Sequence, residues 1–75
     1  MNNEQAEKQV FLQYLLPALQ RIDHSIYNVK LMQENNLEYV AVFRRNTSGN
    51  MYLSDKINVT ADSLRAMMCE ISKHI

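Results

Sequence analysis

One stretch of eight residues decides the fold: Leu37-Glu38-Tyr39-Val40-Ala41-Val42-Phe43-Arg44. β-Branched and aromatic residues, which favour strands, dominate it. Side chains of a strand alternate between two faces, so every second residue belongs to the same face. The alternation assigns Leu37, Tyr39, Ala41 and Phe43 to one face and Glu38, Val40, Val42 and Arg44 to the other. The first face is wholly apolar, so we expect it to lie against the core of a sheet in which this strand is central.

A strand is predicted immediately upstream of this stretch. Residues 26–32 alternate at period two, which is typical of a strand. The three residues Glu34-Asn35-Asn36 then separate two strand patterns, and Asn tolerates the backbone conformation that a tight hairpin needs. A three-residue loop here places Leu31 opposite Tyr39, and the apolar residues of the two strands then share one face.

A third strand is predicted downstream. The only glycine of the chain, Gly49, lies in a polar turn, and residues 51–59 alternate after it. Pairing of Phe43 with Met51 aligns this strand with the central one. Asp55 interrupts its core side, which indicates a strand at the edge of the sheet, where a charge can reach water.

Helical patterns flank the three strands. Apolar residues at helical spacing predict a first helix from about Asn3 to Asp23, capped by Asn2 or Asn3, with Pro17 kinking rather than ending it. A second helix is predicted after Thr60 as its N-cap. The chain therefore reads as one α+β domain, residues 1–75, with the order helix, three-stranded antiparallel meander, helix (α-β-β-β-α) and with both helices on one face of the sheet. The predicted core consists of Leu15, Leu19, Val29, Leu31, Phe43, Leu53, Ile57, Leu64, Met68 and Ile71.

Composition restricts the class of protein. The 75 residues include eight basic and eight acidic ones, so the chain lacks the net positive charge of a general nucleic-acid binder. Cys69 is the only cysteine, and Cys69, His24 and His74 lack the spacing of zinc ligands, so we expect no disulfide, metal or cofactor. No apolar run is long enough to span a membrane, and we expect a cytoplasmic protein. A core this small favours self-association as a homodimer.

Motifs of catalysis are missing from the sequence. Gly49 stands alone, whereas nucleotide-binding loops need several glycines. Cys69 has no histidine aligned with it as a general base, and the acidic residues are scattered rather than paired. We therefore predict that the protein is not an enzyme.

An uncovered face of the sheet is the predicted binding surface. If both helices cover the wholly apolar side, the other side keeps an exposed apolar patch, which commonly marks a contact surface. We expect this patch to bind a second copy of the chain or another, unidentified protein. The predicted interface consists of Met32, Val40, Val42 and Tyr52, with a polar rim of Lys30, Glu38, Arg44 and Lys56.

Nucleic-acid binding remains the alternative prediction. The predicted element order is similar to that of the double-stranded-RNA-binding domain, a resemblance that covers the topology of the whole chain and that implies RNA binding. That family begins its last helix with basic residues, whereas this chain has Thr60-Ala61-Asp62-Ser63-Leu64-Arg65. The first hairpin, Glu34-Asn35-Asn36, also lacks the Gly-Pro-x-His pattern of the family. An exposed sheet with Tyr52, Arg44 and Lys30 favours single strands instead, which such surfaces bind by stacking.

Overall fold

The computed structural model describes the backbone of residues 3–75 and the side chains from Gln5 onward. The chain folds as α-β-β-β-α, which confirms the predicted order and fold class. The three strands form one antiparallel sheet in the order β1-β2-β3, so β3 lies at an edge as predicted. The elements are α1 (Asn3–Ile22), β1 (Ile26–Glu34), β2 (Leu37–Arg45), β3 (Met51–Asn58) and α2 (Leu64–His74).

The N-terminal caps and Pro17 were the predicted local features of the two helices. The predicted cap of α1 at Asn2 or Asn3 lies outside the described residues and side chains. Pro17 does not end α1, and it lies on the exposed side of the helix, where water can reach the carbonyl that proline leaves unpaired. The predicted cap of α2 at Thr60 is wrong. Ser63 caps this helix, because its hydroxyl accepts a hydrogen bond from the N–H of Ala66.

The first hairpin differs from the prediction by one residue. Asn35 and Asn36 alone form the turn between β1 and β2, and both have positive φ angles, 51° and 65°. Two such residues are characteristic of the type I′ turn, whose twist matches that of a hairpin. Leu31 therefore lies opposite Val40 and not opposite Tyr39. Since side chains alternate, a shift of one residue exchanges the two faces of β2 relative to β1.

The second hairpin contains an irregularity. Phe43 lies opposite Leu53, so the predicted pairing of Phe43 with Met51 is wrong. Val42 lies opposite Asp55. Between the pairs Phe43–Leu53 and Val42–Asp55, β3 therefore has one more residue than β2. An extra residue of this kind is a β-bulge, which shifts the alternation of side chains along a strand. A uniform period of two therefore could not describe β3.

The helices cover the face of β2 that carries Val40 and Val42. Both valines are fully buried, with 0 % of their surface exposed, in one cluster with residues of α1 and α2. The prediction that Tyr39, Ala41 and Phe43 lie beneath the helices is therefore wrong, although the prediction that both helices share one face is confirmed. The buried cluster consists of Leu12, Leu19, Ile26, Val29, Val40, Val42, Ile57, Val59, Met67 and Ile71.

The predicted core is correct in part. Leu53 and Met68 are wrong, because both are exposed. Phe43 is also wrong, because it is only partly buried and lies on the side of the sheet that the helices leave open. The predicted members that are buried, or that pack against the buried cluster, are Leu15, Leu19, Val29, Leu31, Ile57, Leu64 and Ile71.

A buried lysine joins α1 to the sheet. Lys8 is only 3 % exposed, and its Nζ lies 2.9 Å from a carboxylate oxygen of Glu38 and 3.1 Å from the carbonyl oxygen of Val59. The hydroxyl of Thr60 accepts a hydrogen bond from the N–H of Glu38. Burial of a charge is costly unless the charge is paired, so these contacts are needed for α1 to lie here.

Aspartate substitutions at two neighbouring positions of β2 test which face is buried. We expect Val42→Asp to unfold the domain, because an unpaired carboxylate in the core costs a large part of a total stability of about 5–15 kcal/mol. Phe43→Asp should leave the domain folded, since its side chain can reach water. Circular dichroism and thermal unfolding measure both variants. A folded Val42→Asp beside an unfolded Phe43→Asp would reverse the assignment of the two faces.

Candidate interaction surface

The face of the sheet that the helices do not cover is called the open face here. Its central residues come from β2, and Phe43 lies between Asn28 of β1 and Leu53 of β3. The register of β1 shifts next to Tyr27, which joins Phe43 in lining a recess on this face. The apolar and aromatic residues of the open face are Tyr27, Met32, Leu37, Tyr39, Ala41, Phe43, Met51 and Leu53.

Much of this apolar surface is in contact with water. Leu53 is 45 % exposed, and Tyr27 and Met51 are exposed to a similar extent. Ala41 at the centre is fully buried, because it lies between Lys30 and Lys56 on the neighbouring strands. The exposed apolar residues are neighbours at the Phe43 end of the face, where Tyr27, Met51 and Leu53 surround Phe43. An exposed apolar patch on a small protein is the usual mark of a contact surface.

Cations lie over two of the aromatic rings. Nζ of Lys56 is 4.7 Å from the centroid of the Tyr39 ring, and Cζ of Arg45 is 4.8 Å from the centroid of the Tyr27 ring. Such cation–π contacts hold the long side chains against the surface. Nζ of Lys56 also lies 2.9 Å from a carboxylate oxygen of Glu34. Each of these two rings therefore has a cation packed against it.

The open face is positive although the chain is neutral. Lys30, Arg45 and Lys56 lie on it, and Glu34 is its acidic residue. Its net charge is therefore +2. Since the whole chain has eight basic and eight acidic residues, the remainder carries −2. This separation of charge cannot be seen from the composition.

The four predicted interface residues do not come together. Met32 lies on the open face, opposite Tyr39. Val40 and Val42 are fully buried beneath the helices, so their assignment to an interface is wrong. Tyr52 is exposed but lies opposite Arg44, on the helix side of the sheet. Val40 and Val42 were misplaced because the first turn has two residues and not three, which exchanges the two faces of β2 relative to the prediction.

The predicted polar rim is also divided. Lys30 and Lys56 lie on the open face. Glu38 and Arg44 lie on the helix side, and both form ion pairs there. The residues that the prediction missed on the open face are Tyr27, Leu37, Tyr39, Ala41, Phe43, Arg45, Met51 and Leu53. The signal for them was the Asn-Asn doublet, which favours a two-residue hairpin turn over a three-residue loop.

Arg44 connects three segments on the helix side. Its Nη1 lies 2.6 Å from Asp55 and 2.6 Å from the hydroxyl of Ser54, and its Nε lies 3.2 Å from Asp23. The hydroxyl and the backbone N–H of Ser25 donate hydrogen bonds to the Asp23 carboxylate. These bonds, with a smaller contribution from Arg44, lower the pKa of Asp23 below its ordinary value.

Within residues 3–75, no three side chains of the metal-binding types come together. Neither helix in this range combines the length and the apolar composition needed to cross a membrane. Cys69 is a free, exposed thiol on α2.

The chain matches no protein-family model, no curated protein and no solved structure. Fold order alone does not define a function, so a function is inferred from the residues of the open face.

Acid unfolding tests the contacts of Asp23. A carboxyl group whose pKa is lowered by folding stabilises the folded state above its unfolded pKa, near 3.8, and this stabilisation is lost as the pH falls through the folded pKa. We expect Asp23→Asn to be less stable than the wild type at neutral pH, with the difference shrinking below about pH 4. Urea unfolding at several pH values measures it. A difference that is independent of pH would mean that Asp23 acts by packing alone.

Proposed function

We propose that the protein is a small, non-enzymatic protein–protein interaction module that works as a homodimer and binds a second protein through its open face. One observation carries this proposal. The helices bury one side of a three-stranded sheet, and no element within residues 3–75 covers the apolar centre of the other. Open apolar surface of this kind is costly in water, and a protein partner would remove it from solvent.

The arrangement of the open face resembles that of known protein interfaces in general. Aromatic residues and Met, here with Phe43 at the centre, are enriched in the buried part of interfaces. Lys30 and Lys56 lie on the two edge strands, on either side of Ala41, and Arg45 lies at the end of β2, so these charged side chains can stay in contact with water after binding. Phe43 and Leu53 face each other across β2 and β3, and a partner that fills the space around them would make the strongest contacts.

The charge of the open face specifies the partner further. A surface with a net charge of +2 around an apolar centre favours a partner whose own apolar residues are surrounded by Asp and Glu. The same charge disfavours two open faces packed against each other. We therefore assign this face to a different protein rather than to the second copy.

A second candidate function is binding of single-stranded nucleic acid. The charge of the open face favours it, together with the three aromatic rings of Tyr27, Tyr39 and Phe43, on which bases could stack. With Lys56 paired to Glu34, Lys30 and Arg45 are left to neutralise two phosphates, which would give a shallow dependence on salt, with a slope of about −1.4 in log K against log salt concentration. Titration of a fluorescent oligothymidylate at two salt concentrations measures it.

Photo-crosslinking in living cells tests the proposal. We expect p-benzoylphenylalanine in place of Leu53 to yield discrete adducts that protease digests and nuclease leaves intact. The same group in place of Lys73, an exposed residue of α2, is the matched control and should not yield these adducts. Phe43→Asp in the Leu53-substituted chain should remove them, because it places a charge in the apolar centre.

Two results would count against a protein partner at this face. Adducts that nuclease removes would favour the nucleic-acid alternative. Identical adducts from the two positions, or none from Leu53, would show that the open face is not the binding surface.

A further inference from the structure

The outer side of α1 carries the most exposed apolar side chain of the described residues. Tyr14 is 81 % exposed, and Val10, one helical turn before it, is 49 % exposed. Phe11 and Leu64 line an apolar groove beside these two residues, between α1 and the start of α2. This surface lies on the helix layer, on the opposite side of the molecule from the open face.

The spacing of α1 residues around Tyr14 is that of a helix–helix contact. Glu7, Phe11, Tyr14, Ala18 and Arg21 follow one another at intervals of four, three, four and three residues. This alternation places side chains on one stripe of a helix, as in the seam of a coiled coil. The stripe has an acidic end, an apolar middle and a basic end. Glu7 and Arg21 are exposed, and neither has an ion-pair partner among the described side chains.

The charges of this stripe are arranged symmetrically. Glu7 lies seven residues before Tyr14, and Arg21 lies seven residues after it. In an antiparallel pair of α1 helices centred on Tyr14, Glu7 of each copy lies opposite Arg21 of the second copy. A parallel pair would place like charges together, which is unfavourable. The stripe is therefore complementary to itself about a twofold axis, as a closed dimer requires.

We propose that the protein forms its homodimer through α1, with two copies antiparallel about a twofold axis at Tyr14. This inference deepens the homodimer part of the proposed function, and it does not depend on binding at the open face. The two open faces then point away from each other on opposite sides of the dimer. Each remains available to its own protein partner.

The size of the contact sets the expected affinity. The stripe from Glu7 to Arg21 extends over about 21 Å of helix. Met68, which is exposed on α2, lies near the neighbouring part of α1 and can add to the contact. A contact of one helix pair falls at the small end of specific interfaces, so we expect a dissociation constant in the micromolar range.

Sedimentation equilibrium of the full chain at 10 to 500 μM tests the dimer. Tyr14→Glu places two carboxylates at the twofold axis and should weaken association at least tenfold. Gln13→Glu adds the same charge at an exposed position off the stripe, and it should leave association unchanged. Both positions face water, so both variants should keep the circular dichroism spectrum and the melting temperature of the wild type within a few degrees.

A charge exchange tests the antiparallel arrangement. Glu7→Arg alone and Arg21→Glu alone should each weaken association, because each brings like charges together twice in the dimer. The double variant Glu7→Arg/Arg21→Glu restores opposite charges and should recover most of the wild-type affinity.

Three results would overturn the proposal. The first is a wild-type mass of 8.8 kDa at every concentration. The second is a dimer that Tyr14→Glu does not weaken. The third is a dimer that Phe43→Asp abolishes and Tyr14→Glu does not, which would move self-association to the open face. Crosslinking from Leu53 monitors the other partner separately, so failure of the dimer and failure of the open face are distinguishable.

Discussion

The structure depends on one buried ion pair, between Lys8 of α1 and Glu38 at the start of β2. A buried ammonium group is stable only when it is paired, and here the carbonyl of Val59 completes its contacts. At the other end of β2, Arg44 contacts Asp23, just after α1. Lys8 and Asp23 are separated by about 22 Å along the helix axis. Their partners, Glu38 and Arg44, are separated by about 20 Å along β2. The match in length lets α1 run in the direction of β2, while the helix itself packs mainly over the neighbouring strand β1.

The ion pairs and the buried apolar cluster lie on the same side of the sheet. Glu38 and Arg44 lie on the same face of β2 as the two buried valines, so α1 can reach them only by covering that face. The opposite face, with Tyr39 and Phe43, is left to solvent. The contacts that stabilise the fold are therefore also the reason that an apolar, positively charged surface is available for binding.

The sequence predicted the order of elements but not the facing of β2. Periodicity was sufficient for the helices and strands, because each is long enough for its pattern to be clear. Which face of β2 is buried depends on whether the first turn has two residues or three. The prediction of a three-residue loop assigned the wrong face of β2 to the core. Lys30 and Met32 were placed on the open side correctly because β1 faces as predicted, and Lys56 because it follows the bulge of β3, whereas Tyr52 precedes it. The pairing of Lys8 with Glu38 could not be predicted, because the two residues are 30 positions apart and meet only through the fold.

Nuclear Overhauser effects in solution show which face of β2 is buried against the helices. We expect contacts from the methyl group of Met67 to the methyl groups of Val40 and Val42, since all three residues lie in the buried cluster. The ring protons of Tyr39 and Phe43 should show effects to other residues of the open face and none to Met67. Strong effects from these two rings to Met67, without effects from the valines, would contradict the account.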